Sequence, residues 1–339
     1  MNTSEEETKQ IIQNWLRIFD IKFGWIDEFD KIVTKYVESF AVYELSGICF
    51  RLLKILQGHD DAVRRVKFSA DGRKIVSASA DKTVRIWDVI LKTQIQIFKG
   101  HSYGVNAAEF APDGSTILSC ADDETIRLWD IKSGKELKIL KGHIDSVLDI
   151  NFSPDGKTIV SGSKDNTIRL WDVASEEEIK KFHYHSDAVN CVRFSSNGQM
   201  ILSASDDRMI ILWDVKSGEK LKIFNGHSNL VLCAQFSFND HFVVSCSCDQ
   251  TVRVWDVESG KLLDKMKGHY RVVKGISYFP DDKTIVSCSR DNTIRLWDVK
   301  LGYEIQRLEG YDSDVDGVDV SPNSDTIVSC SCDTIGIWG

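Results

Sequence analysis

Serine, histidine and aspartate, the residue types of a hydrolytic triad, recur together six times in this chain. The sets are His59, Ser77 and Asp81; His101, Ser119 and Asp123; His143, Ser161 and Asp165; His185, Ser203 and Asp207; His227, Ser245 and Asp249; and His269, Ser287 and Asp291. One such set could carry out acyl transfer, with serine as nucleophile, histidine as base and aspartate orienting the ring. Catalysis needs the set once, whereas these six stand 42 residues apart in equivalent places. A tryptophan follows each aspartate by six residues: Trp87, Trp129, Trp171, Trp213, Trp255 and Trp297. A buried indole N–H, imidazole and carboxylate must each be hydrogen-bonded. The four types together therefore read as a structural chain in which serine faces the tryptophan. Only His183 and His241 lie outside the sets, and neither a G-x-x-x-x-G-K-[ST] nor a G-x-S-x-G motif occurs. Cys246-x-Cys248 and Cys330-x-Cys332 have no second pair at zinc spacing. No catalytic residue, cofactor or metal site is expected.

A period of 42 residues must be one supersecondary unit. The third unit shows it most cleanly. Val147–Phe152 alternates as a strand, Ser153-Pro154-Asp155-Gly156 is a turn, and Thr158–Ser163 is a second strand. Lys164-Asp165-Asn166 turns again, and Thr167–Val173 is a third strand. A further strand leads into each unit: residues 51–57, then Gln94–Lys99, Glu136–Lys141, Glu178–His183, Lys220–Asn225, Lys261–Lys267 and Glu304–Glu309. The Gly-His…Trp-Asp beat at this period resembles the WD40 family, whose unit is one four-stranded propeller blade. The resemblance covers residues 51–339, with units starting near 51, 93, 135, 177, 219, 261 and 303. It implies an all-β, seven-bladed propeller with four antiparallel strands per blade. In that arrangement strand 51–57 completes the last blade, built from Val315–Val320, Thr326–Cys330 and Thr334–Trp338. The seventh unit departs from the pattern. Tyr311 replaces histidine, Asp333 stands five rather than six residues before Trp338, and Gly336 replaces the arginine of five other units. Its polar chain is expected to be incomplete.

Residues 1–50 lie outside the repeat. Ser4 and Glu7 fit a capping box. Ile11, Ile12, Trp15, Leu16 and Phe19 recur at helical spacing, and Ile26, Phe29, Ile32, Val33, Tyr36, Val37 and Phe40 do so after Gly24. A short helical extension is expected, packed on the propeller or on itself, or docking a helix partner or a second copy through 1–40. Trp15 and Trp25 would anchor such a contact. The net charge of −9 argues against a nucleic-acid backbone as main partner. No run of 18 apolar residues exists to span a membrane. Cys120, Cys246, Cys288 and Cys330 recur in the middle of one strand, the use of cysteine as a small buried apolar group. A reducing compartment, cytoplasm or nucleus, follows.

With the blade core repeated, function must lie where the units differ. Arg64, Asn106, Leu148, Asn190, Leu232, Lys274 and Asp316 follow the His position by five residues. Ala62, Gly104, Ser146, Ala188, Leu230, Val272 and Asp314 follow it by three. Ala80, Asp122, Lys164, Asp206, Cys248, Arg290 and Cys332 precede the turn aspartate. The resemblance places these on the top face at the channel mouth. Their mixed charge and apolar character suits a protein segment better than a phosphate. A non-enzymatic protein-interaction scaffold is the expectation. A G-protein β-like signalling subunit, or a sensor module of a larger protein, are the alternatives.

Overall fold

The computed structural model describes residues 49–339, and the expected N-terminal helices lie outside them. Twenty-eight strands run from β1 (Leu52–Gln57) to β28 (Thr334–Trp338) among these residues. They form seven four-stranded antiparallel sheets. Six sheets take four consecutive strands each. The seventh has the order β1-β28-β27-β26, with β26 at Val315–Val320 and β27 at Ile327–Ser331. The first strand therefore completes the last blade, as the WD40 resemblance implied. Leu52 pairs with Trp338 and Gln57 with Thr334. Arg51 and Gly339 exchange two backbone hydrogen bonds at 3.0 and 3.1 Å. No sheet is left a strand short, so β28 is paired on both sides and is not an open edge.

The innermost strands are β2 (Val63–Phe68), β6 (Val105–Phe110), β10 (Val147–Phe152), β14 (Val189–Phe194), β18 (Val231–Phe236), β22 (Val273–Tyr278) and β26. They lie against one another around the ring and line its channel. The second strand of each blade is buried throughout, as in β3 (Lys74–Ser79), where Ile75 to Ser79 are all inaccessible. Both of its faces meet neighbours, so small residues (Ser, Ala, Gly, Cys) recur there. Apolar clusters bridge adjacent blades. Trp87 of the first blade packs with Val328, Ile335 and Ile337 of the last, and Trp129 of the second with Val76 and Ile86 of the first.

Turns fix the blade register. Gly156 sits at φ +69°, and its N–H donates to Ser153 O at 2.8 Å. Only a residue tolerant of positive φ fits there. In every blade a bulge interrupts the pairing of the innermost strand near its start, between Val63 and Arg65 in β2 and between Val189 and Cys191 in β14.

The seventh blade is held differently. Tyr311 Oη lies 2.9 Å from Ser329 Oγ, which also accepts from Trp338 Nε1–H at 2.8 Å. A phenol has one polar atom, and Ser329 takes it, so nothing reaches the exposed Asp333. A Cβ on Gly336 would stand 2.2 Å from Tyr311 Oη, so the larger ring requires the glycine. With this anchor shortened, amides of β26–β28 are expected to exchange faster with solvent than those of β10–β12 (β11, Thr158–Ser163; β12, Thr167–Asp172). Equal protection in hydrogen-exchange mass spectrometry would refute the difference.

Candidate functional site

The six tetrads come together as hydrogen-bond chains. His59 Nδ1 is 2.7 Å from Asp81, its Nε2 is 2.7 Å from Ser77 Oγ, and Trp87 Nε1–H donates to the same hydroxyl at 2.8 Å. In the third blade, His143, Asp165, Ser161 and Trp171 repeat these contacts at 2.7–2.9 Å. The chains through His101, His185, His227 and His269 have the same connectivity. One proton arrangement satisfies every atom. The indole donates to serine, serine donates to Nε2, and Nδ1–H donates to the carboxylate. The imidazole is then neutral. All six serines are 0% exposed, with the hydroxyl shared between indole and imidazole, so no substrate carbonyl can reach them. The second serine of each blade does other work: Ser79 Oγ donates to Asp61 O and accepts from Asp81 N–H. Ala121 replaces it in the second blade, so that pair of bonds is dispensable there.

These groups set an acid limit on stability. Burial lowers the affinity of His143, His227 and His269 for a proton, though their aspartates oppose it. Burial alone would raise Asp81, Asp123, Asp165, Asp249 and Asp291. Hydrogen bonds from the paired histidine and the following threonine outweigh it, and all five sit well below the ordinary 3.8. Both shifts favour the unprotonated fold, so both contributions are present at neutral pH and lost on acidification. The histidine part fades as pH falls through about 6.5, and the larger carboxylate part below about 4. Glu109, raised to about 7 by burial, acts in the opposite sense between those values. The thermal midpoint is therefore expected to change little from pH 7 to 5 and to fall steeply below pH 4. A midpoint flat down to pH 3 in a calorimetric series would contradict this.

One end of the channel opens into a cavity of about 310 Å³. Arg64, Asn106, Leu148, Asn190, Leu232, Lys274 and Asp316 all line it, joined by Ala62 and Arg65. The residues before the turn aspartates stand around this mouth rather than in its wall. Arg64 Nη1–H donates to Asn106 Oδ1 and, at 2.8 Å, to Asp122. Asn106 and Asn190 each donate both to the neighbouring aspartate (Asp122 or Asp206) and to a backbone carbonyl of the next blade. Lys274 lies 3.7 Å from Asp316, and Arg290 lies 3.3 Å from Asp314. Lys164 is exposed. Burial pushes the carboxyls of Asp206 and Asp316 up from the ordinary value, against nearby cations. Large apolar side chains stand in the loops leading into this mouth: Tyr103 is 61% exposed and Ile144 76%.

Below this mouth lies a layer that the spacing of variable positions did not reveal. The bulge in β2 sends two consecutive residues toward the channel, so Arg64 and Arg65 both line the cavity, and each innermost strand carries a bulge at the same place. The second residue of each such pair is Arg65, Ala107, Asp149, Cys191, Cys233, Gly275 or Gly317. Asp149 is 1% exposed and accepts from Arg193 Nη1–H at 2.6 Å and from Val192 N–H at 3.0 Å. Arg65 Nη2 lies 3.6 Å away. A second cavity of about 400 Å³, at the opposite mouth, is lined by Lys67, Glu109, Asn151, Arg193 and a run of phenylalanines.

Comparison with known families agrees with this architecture. A model described as "WD domain, G-beta repeat" matches residues 50–88, 260–298 and 302–339, and one for the fourth β-propeller of WDR90 matches residues 104–242. The chain belongs to the WD40-repeat β-propeller family. Among its WD40 relatives is a Notchless protein homolog of Arabidopsis thaliana, 35% identical over 66 residues, 20% of this chain and 14% of that protein. A Periodic tryptophan protein 2 homolog of Schizosaccharomyces pombe is 38% identical over 58 residues, 17% of this chain and 7% of its own length. Protein Mut11 of Chlamydomonas reinhardtii is 51% identical over 41 residues, 12% of this chain and 11% of its own. The chain thus matches only a small part of each. No helix among the described residues is long and apolar enough to cross a membrane.

Proposed function

We propose that this WD40 ring is a non-enzymatic scaffold that docks a protein segment at the mouth lined by Arg64 to Asp316. The observation that carries the reading is the composition of that mouth. Leu148 and Leu232 give apolar walls, while Arg64–Asp122, Lys274–Asp316 and Arg290–Asp314 present both signs of charge around them. A single phosphate has no use for the leucines or the carboxylates. A peptide carries apolar, cationic and anionic groups together and can use all three. Tyr103 and Ile144 extend the same face with the residue types that dominate interface energetics. The use of cysteine as a small buried apolar group in the second strands suits a reducing compartment, the cytoplasm or nucleus. None of this rests on residues 1–48.

The test is affinity purification with mass spectrometry, followed by titration of a purified partner. Replacing Arg64, Lys164 and Arg290 together by glutamate is expected to raise Kd at least tenfold, about 1.4 kcal/mol. A variant that stays folded by circular dichroism and binds its partner with unchanged Kd would remove this face from consideration.

A further inference from the structure

Cys191 and Cys233 occupy the same slot of two adjacent innermost strands, β14 and β18. Their sulfurs are 3.3 Å apart, and Cys191 Sγ also lies 3.4 Å from Ala234 O. Cys120, Cys246, Cys288 and Cys330 lie in second strands, and Cys248 and Cys332 just after two of those strands. Here the pair stands in the channel layer that holds Arg65, with Arg193 two residues along from Cys191. Gly275 and Gly317 place no side chain in that layer.

We infer that Cys191 and Cys233 form an oxidation site, a dithiol that a small peroxide converts to a disulfide tying the fourth blade to the fifth. Sulfur–sulfur bonding needs about 2.05 Å, so two side chains must together close little more than 1 Å. The two thiols have distinct roles. Cys233 is 3% exposed and Cys191 is 0%. The hydrogen bond from Cys191, helped by the charges of Arg65 and Arg193, works against burial to pull the Cys233 thiol down, while Cys191 is pushed up. Cys233, the one of the two with solvent-exposed surface, is therefore the nucleophile, reacting as its thiolate. It attacks one peroxide oxygen, the O–O bond breaks, and hydroxide leaves, giving a sulfenic acid on Cys233. The Cys191 sulfur then attacks that sulfur. The S–S bond forms, the S–O bond breaks, and hydroxide leaves with the Cys191 proton as water. Overall two thiols and one hydrogen peroxide yield one disulfide and two waters. A cellular dithiol reductant reverses the step by exchange. The site is independent of the docking reading, since it needs no partner protein.

The test uses the full chain treated with hydrogen peroxide, then blocked with N-ethylmaleimide, unfolded and mapped by mass spectrometry. The expected result is a Cys191–Cys233 linked peptide within one chain, with those two thiols lost to alkylation. Cys191→Ser should abolish the link and leave a dimedone adduct on Cys233, and Cys233→Ser should give neither. If serine disturbs folding, Cys191→Ala and Cys233→Ala should each still abolish the link. Peroxide that consumes only the more exposed Cys49, Cys248 and Cys332, leaving Cys191 and Cys233 fully alkylated after unfolding, would overturn the assignment.

Discussion

A chain lacking residues 1–57 is expected to unfold at a temperature on the order of 10 °C below one lacking only residues 1–40. The shorter deletion keeps every ring-closing contact among the described residues. The longer one removes β1, whose partners are the residues of β28 from Thr334 to Trp338. Leu56 is 3% exposed and packs with Val63, Val66 and Trp87 of the first blade as well as Ile335 and Ile337 of the last. Losing that one side chain costs about 2–5 kcal/mol by analogy with Leu→Ala in a core. Phe50 goes too, with its exchange of hydrogen bonds with the Gln306 amide at 2.9–3.2 Å and its ring contact with Phe279 at 5.8 Å. β28 is left as an open edge, a template for aggregation. By contrast Leu53, on the opposite face of β1, is 51% exposed, and Leu53→Ser should cost within about 0.5 kcal/mol. Thermal melts followed by circular dichroism decide the matter. Equal midpoints for the two deletions would mean that β1 is an ornament of the last blade and not its closure.

That closure could be read from the sequence through the resemblance to WD40 propellers, combined with the strand count. If each leading strand belongs to the preceding blade, as the WD40 resemblance implies, one strand is left over at the start and one place stands empty at the end. Strand limits were legible to a residue or so. The last blade's second strand runs Ile327–Ser331 rather than Thr326–Cys330, and the sixth outer strand begins at Leu262 rather than Lys261. Such ends are set by single turn bonds, like Ser321 N–H to Thr326 O at 2.9 Å, that periodicity does not register. The channel was legible only at its rim. Simple alternation along Val63–Phe68 sends Arg64 and Arg65 to opposite faces, but the bulge between Val63 and Arg65 turns both inward. The layer holding Asp149, Cys191 and Cys233 was hidden for that reason. A charged residue between apolar ones, as Asp149 is between Leu148 and Ile150, was the signal available for it.

That layer carries the largest single-residue effect expected in the molecule. Asp149→Ala should lower stability by about 3–5 kcal/mol. The carboxylate is buried, where burial alone would raise its pKa, yet the charges of Arg193 and Arg65 hold it below the ordinary value and keep it ionised. Without it, two guanidiniums remain in the channel. Arg193 Nη1 keeps only the carbonyls of Val192 and Ile150, at 2.6 and 3.4 Å. The other nearby carboxyl, Glu109, is pushed up to about 7 by burial and carries only part of a charge at neutral pH. Its oxygens accept from Phe152 N–H and the Asn151 amide. The cost is thus that of a stranded charge, and the worth of the ion pair itself is smaller. Replacing both partners separates the two. Asp149→Leu with Arg193→Met removes the carboxylate and one cation together, and should recover most of the loss. Urea unfolding of the two single variants and the double completes the cycle. A double variant as unstable as the sum of the singles would show that Asp149 and Arg193 act independently, leaving Arg65 as the partner that matters.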